Sequence, residues 1–191
     1  LRGGALVLDK RLRTTNRRIF AIGDVAGPYR FTHMAAYQAG IVLRNIRFRL
    51  PAKAEYQAVP WVTYTDPELA HVGLGEAGAH AAGIKIDILR FPFAENDRAV
   101  AEGKTEGLIK VVVTRGGRIL GASIAGAHAG ELIHVWSLAV SRRLKVSAMA
   151  KAITPYPTLS EVSTRAAGSY YAPKLFSPRT KRIVRFLQRL G

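Results

Sequence analysis

The chain contains no cysteine among its 191 residues. That excludes a disulfide scaffold, a thiolate metal site and a thiol nucleophile within this stretch. Acidic residues are scarce: 13 Asp and Glu stand against 29 Lys and Arg, a formal charge of +16. No apolar run approaches the roughly 20 residues that a membrane span needs. The sequence opens Leu1-Arg2-Gly3-Gly4, without an initiating Met or a signal-peptide pattern, which hints at truncation. What is present reads as globular. A hydrophobic content of 48% with 22% charged residues is enough for one or two domains with a real core.

So much positive charge first suggests a nucleic-acid binder. Its distribution argues otherwise. Residues 1–53 carry 11 basic and 2 acidic side chains, residues 54–173 carry 12 and 11, and residues 174–191 carry 6 and 0. Two basic ends flank a near-neutral middle. Tyr170, Tyr171 and Phe176 can stack on bases, but they fit a helix end and a Pro-containing turn as well. No nucleic-acid partner is expected.

Leu6-Val7-Leu8 and Ile19-Phe20-Ala21-Ile22 are short apolar runs that read as strands, with a basic turn between them. Residues 32–48 have helical spacing, with Met34, Ala35, Ile41, Val42 and Ile46 inward and Thr32 as N-cap. Pro51 and Lys53 mark a linker. The spacing then predicts strands at 61–64, 69–72 and 84–91, with a short helix at 76–82. A hairpin follows over 108–114 and 119–124 around Arg115-Gly116-Gly117-Arg118. Helices are expected at 131–143, 159–171 and 179–190. The pattern is α+β: an antiparallel sheet with helices on one face.

Gly73-Leu74-Gly75-Glu76-Ala77-Gly78 fits G-x-G-x-x-G. It is either a dinucleotide fingerprint or a Gly-rich turn into a short helix. The following helix reaches Gly83 within five residues, and Glu76 is poorly placed beside a diphosphate. Gly23-Asp24 ends an apolar run, so Asp24 either offers a carboxylate to a hydroxylated ligand or is a solvated turn residue. His128 and His134 are six apart and do not share a helical face, so no metal site is expected.

The stretch Thr14-Thr15-Asn16-Arg17-Arg18-Ile19-Phe20-Ala21-Ile22-Gly23-Asp24 resembles the second flavin-binding motif of the pyridine nucleotide–disulfide oxidoreductases. The resemblance implies that Asp24, beside Gly23, bonds the ribityl chain of FAD. It also implies that the helix opening at Thr32-His33-Met34-Ala35 aims its N-terminus at the flavin, where it would stabilise negative charge. Taken alone, His33 reads as a helix-start residue rather than a catalyst. Pro60-Trp61-Val62-Thr63-Tyr64-Thr65-Asp66-Pro67 and Gly121-Ala122-Ser123-Ile124-Ala125-Gly126-Ala127-His128 are similar to the family's C-terminal interface domain, which assigns the G-x-G-x-x-G match to that domain's first turn.

Pro155-Tyr156-Pro157-Thr158-Leu159-Ser160-Glu161 stands where disulfide-reducing relatives carry His-Pro-Thr and a Glu. In those relatives the His is the acid/base toward the redox thiols. Here Tyr156 replaces it and Glu161 remains. A phenol with an ordinary pKa of about 10 is a poor base near neutrality. Mercuric reductase-like members also place Tyr here, but the chain lacks the C-terminal cysteine pair that hands over mercury, so the acceptor is a small molecule or a metal ion left unspecified. Tyr156 alternatively packs at a dimer seam.

The resemblance thus implies three segments: residues 1–53 as a remnant of an FAD-binding domain, 58–173 as an interface domain forming a homodimer, and 174–191 as a basic amphipathic tail. The intact enzyme would pass electrons from NAD(P)H through FAD to a cysteine pair and on to substrate. The chain by itself would bind FAD weakly and be inactive. Two rival readings are a non-catalytic dimerisation module and a basic protein of the membrane surface. The expected location is cytoplasmic, peripheral at the membrane if the tail makes weak contact there.

Overall fold

The computed structural model describes residues 6–188. They fall into two compact units that meet in sequence at Val59 and Pro60.

In the first unit, residues 9–22 form a turn-rich loop closed by a single antiparallel bridge between Arg13 and Phe20. The two expected strands, at 6–8 and 19–22, do not form. A strand is stable only within a ladder, and no other strand of this unit is present among the described residues. Val7, Ile19 and Ile22 are consequently exposed.

Helix α1 (Thr32–Ile46) follows. Thr32 is not its N-cap, as the sequence suggests, but its first helical residue. The cap is Phe31, whose backbone is extended and whose side chain contributes no cap bond. Its carbonyl accepts the amides of Met34 at 2.9 Å and Ala35 at 3.2 Å. Met34, Gln38 and Ile41 are buried, whereas Ile46 is exposed. The inward stripe therefore runs through polar side chains that an apolar pattern overlooks. Gln38 accepts the Gly23 amide at 2.7 Å and donates to Tyr56 Oη at 3.3 Å. Asn45 donates to the carbonyls of Ile41 and Ala52. Leu12, Ile41 and Ala54 make the small core. The segment after Pro51 lies against this unit: the Ala54 amide donates to Lys10, and Tyr37 Oη accepts the Glu55 amide.

The second unit is a five-stranded antiparallel sheet, ordered β1-β2-β5-β4-β3. Its strands are β1 (Pro60–Thr63), β2 (Glu68–Gly73), β3 (Ile86–Pro92), β4 (Leu108–Thr114) and β5 (Ile119–Gly126). The predicted hairpin is the β4–β5 pair, with a register shift at Val112/Val113. Alternation sorts the side chains. Ala70, Val72, Ile109, Val111, Ala122 and Ile124 are buried; this face packs under α4 (Ala129–Ser141) and α6 (Glu161–Ser169). On the opposite face the six-residue α2 (Glu76–Ala81) covers a smaller cluster of Ala79, Val112 and Leu120. Glu76 there lies near Lys110 and Arg90.

Two polar contacts fix the helices. Glu68 Oε2 accepts the Gly130 amide at 2.8 Å, putting a carboxylate at the N-terminus of α4, where the helix dipole favours it. Trp136, fully buried on α4, donates through Nε1–H to Ser163 Oγ on α6 at 3.0 Å. Gly73, with φ +78, ends β2, and a Cβ there would overlap the Leu120 carbonyl oxygen. The close backbone approach that this glycine permits is to β5, which is what the Gly-rich turn reading requires. Helices α3 (Asp97–Ala101) and α5 (Val146–Ala150) complete the unit, followed by α7 (Ala172–Leu175) and α8 (Pro178–Leu187).

Candidate functional site

The sequence singles out residues in both units, and each group has its own setting. In the first unit Gly23 begins a 3₁₀ turn (Gly23–Ala26) with φ +72, a conformation glycine adopts without strain. Asp24 follows, and its carboxylate is exposed. At the start of α1, Thr32 and His33 are exposed, Ala35 is half-buried and Met34 is in the core. The His33 ring stacks on Phe31 at 5.1 Å. Because the amides of Met34 and Ala35 are taken by Phe31, what this helix end offers a ligand is its dipole and first turn. An accessible carboxylate and a helix end without a side-chain cap fit a ligand that carries hydroxyls and accumulates negative charge.

In the second unit Tyr156 sits on the loop that enters α6, and Glu161 opens that helix. Tyr156 is 69% exposed, and the Tyr156–Pro157 peptide is cis. The phenol is not free. Its Oη donates to Asp97 Oδ2 at 2.9 Å, across 59 residues of sequence. Asp97 opens α3, and α3 is held by Asn96, a buried residue with two tasks. Asn96 Oδ1 accepts the Ala99 amide at 2.9 Å as the helix N-cap. Its Nδ2 donates to the Thr158 carbonyl at 3.1 Å. Thr158 Oγ1 in turn donates to the Pro155 carbonyl at 2.7 Å. So one buried amide aligns α3 with the loop, and the adjacent carboxylate grips the tyrosine. Glu161, half-buried, is the first residue of α6, with its amide on the Thr158 carbonyl.

Asp97 and Asn96 escape a reading of the sequence because α3 is only five residues long. The available signal was an Asn directly before an acidic first turn.

The Asp97 hydrogen bond, then its charge, hold the Tyr156 phenol above its ordinary range, with slight burial and the Glu161 charge adding to this. A phenol raised in this way stays protonated at neutral pH, leaving still less phenolate to act as a base. The sign for stability follows from linkage. The Tyr156–Asp97 contact contributes fully below the ordinary phenol range and is lost as pH rises through the elevated one. In Asp97→Asn, Tyr156 should titrate at lower pH. Absorbance at 295 nm, taken as a difference from Tyr156→Phe in each background, reads it; superimposable curves with and without Asp97 would sink the assignment.

Beside this loop lies an open apolar groove of about 390 Å³, lined among others by Leu132, Val135, Met149, Ile153 and Pro155. Ile153 is 100% exposed, and Val135 and Leu138 on α4 are exposed as well.

Residues 59–167 match the family described as pyridine nucleotide-disulphide oxidoreductase, dimerisation domain. The chain is 37% identical over 165 residues to dihydrolipoyl dehydrogenase of Bacillus subtilis, covering 86% of this chain and 35% of that protein. It is 35% identical over 159 residues to mercuric reductase of Bacillus cereus, covering 83% of this chain and 25% of that protein. Among solved structures, the Cu(II) complex of the HOCl-induced flavoprotein disulfide reductase RclA from Escherichia coli superposes with a TM-score of 0.81 at 29% identity. That match covers 88% of this chain and 39% of that one. The chain thus spans about a third of the length of the curated relatives it matches.

Proposed function

Since the chain belongs to the pyridine nucleotide-disulphide oxidoreductases, through their dimerisation domain, we propose that it is the C-terminal part of an FAD-dependent NAD(P)H oxidoreductase that works as a homodimer. The observation that carries this reading is the apolar groove beside Tyr156. An exposed isoleucine and valine lining such a groove, with exposed Leu138 on the same helix as the valine, are costly in water and suited to a second copy of the same face. On this reading the Tyr156 loop, which adjoins the groove through Pro155, borders that seam.

In the complete enzyme Asp24 and Gly23 would hold the ribityl side of FAD, and the first turn of α1, residues 32–35, would face its pyrimidine side. When bound, FAD supplies hydride acceptance from the reduced nicotinamide and electron transfer to a cysteine pair. The residues of this chain bind, orient and border. Asp24 accepts hydroxyl hydrogen bonds. The α1 dipole favours negative charge. Tyr156, donating to Asp97 and kept neutral, presents a fixed hydroxyl where a base would otherwise stand. This favours a small-molecule or metal-ion acceptor, whose reduction needs no imidazole to manage a thiol proton.

Sedimentation equilibrium of the full chain should show a dimer. Ile153→Asp should weaken dimerisation at least about tenfold, since a buried isoleucine is worth roughly 1.5–3 kcal/mol. The fold should be unchanged, because Ile153 is fully exposed in the single chain. A monomer at all concentrations, or a dimer indifferent to Ile153→Asp, overturns the reading.

A further inference from the structure

The tail is unused by the reading above, and its structure is specific. Helix α8 (Pro178–Leu187) begins cleanly: Ser177 Oγ accepts the Thr180 amide at 3.2 Å, and Pro178 follows at the first helical position. None of its residues is buried. Ile183, Val184, Phe186 and Leu187 are all exposed, as are Leu175 and Phe176 just before it. At 3.6 residues per turn, the four apolar side chains of α8 occupy an arc of roughly 160°. Lys181, Arg182 and Arg185 occupy the opposite side. Arg179, at the edge of the apolar arc in the first turn, can extend its charge outward. After Glu161 the sequence contains no acidic residue, so nothing within this stretch neutralises them. Leu190, the next apolar residue of the sequence, lies outside the described residues.

We propose that α8 docks this chain on an anionic phospholipid surface, apolar arc in the acyl boundary and cations among the headgroups. Charge complementarity selects this occupant. A soluble polyanion would satisfy the cations and leave Ile183, Phe186 and Leu187 in water. A neutral apolar groove would do the reverse. A helix with a strongly basic face, an aromatic and aliphatic face and low overall hydrophobicity satisfies both at a membrane interface. No described helix is long and apolar enough to cross a membrane, so the contact is one of lying on the surface.

The test is co-sedimentation of the full chain with vesicles of phosphatidylcholine and phosphatidylglycerol in equal parts, at low salt. Pure phosphatidylcholine should retain it at least about tenfold less well. The double variant Ile183→Asp/Phe186→Asp should lose at least about tenfold in partitioning. Lys181→Gln/Arg182→Gln/Arg185→Gln should lose on the order of 100-fold, at about fivefold per cation. Circular dichroism confirms an intact fold in each. As a direct reading of depth, Phe186→Trp should be quenched by brominated lipid above the background of the two native tryptophans. Equal retention by both lipids, full retention of the double Asp variant, or no retention at all overturns the proposal. So does capture by duplex DNA or poly-glutamate in the absence of vesicle binding, which would assign the tail to a soluble polyanion.

Discussion

Replacing Gly107 by alanine should unfold the second unit. Gly107 leads into β4 with φ +99, where an L side chain is strained. The larger problem is space. A Cβ at this position would overlap the carbonyl oxygen of Ala125 and stand 2.7 Å from its carbonyl carbon. Ala125 lies on β5, which pairs with β2 on one side and β4 on the other, so its backbone has nowhere to move. The Gly107 carbonyl is committed too, accepting the Phe93 amide at 3.1 Å. Relief would have to come from breaking ladder bonds at the centre of the sheet. The expected cost exceeds about 4 kcal/mol, a large part of the stability of an ordinary domain. Guanidinium unfolding followed by circular dichroism decides it. A midpoint shift equivalent to less than about 1 kcal/mol would show that the β4–β5 start is far more pliable than this packing implies.

Trp136→Ala should be comparably damaging. The indole is fully buried between the sheet and α6, and its N–H is the partner of the buried Ser163 hydroxyl. Removing it leaves a cavity, at about 3–5 kcal/mol for a large aromatic, and strands Ser163 at about 1–3 kcal/mol more. Trp136→Phe keeps most of the volume and loses the hydrogen bond, so it should cost clearly less. The same denaturation measurement tests both, and equal midpoints for the two variants would mean that the hydrogen bond, not the volume, dominates.

How legible all this is in the sequence differs by unit. In the sheet unit, alternation and the Gly-Gly turn locate every strand, because each strand has one wet and one dry side or is buried between paired neighbours. Residues 131–143 read as a helix for the same reason, and α4 forms two residues earlier because Glu68 meets its N-terminus. In the first unit the pattern misleads. Ile19 and Ile22 look like strand residues, yet a sequence cannot supply a ladder partner. The inward side of α1 is held by Gln38 and Asn45, which apolar spacing skips. At the candidate site, Tyr156 and Glu161 are legible through a motif. Asp97 is not, because its relevance comes from a contact across 59 residues.

Asn96 has a consequence for how such a protein changes over generations. One buried amide both starts a helix and ties down a loop 62 residues further on, and it does the second through a main-chain carbonyl. The loop's shape therefore owes little to the side chains at 156 and 97, which sit outside on solvent. Mutation can trade phenol for imidazole there without renegotiating the scaffold. The two exposed side chains at this edge are therefore open to replacement, and the buried amide beneath them is not.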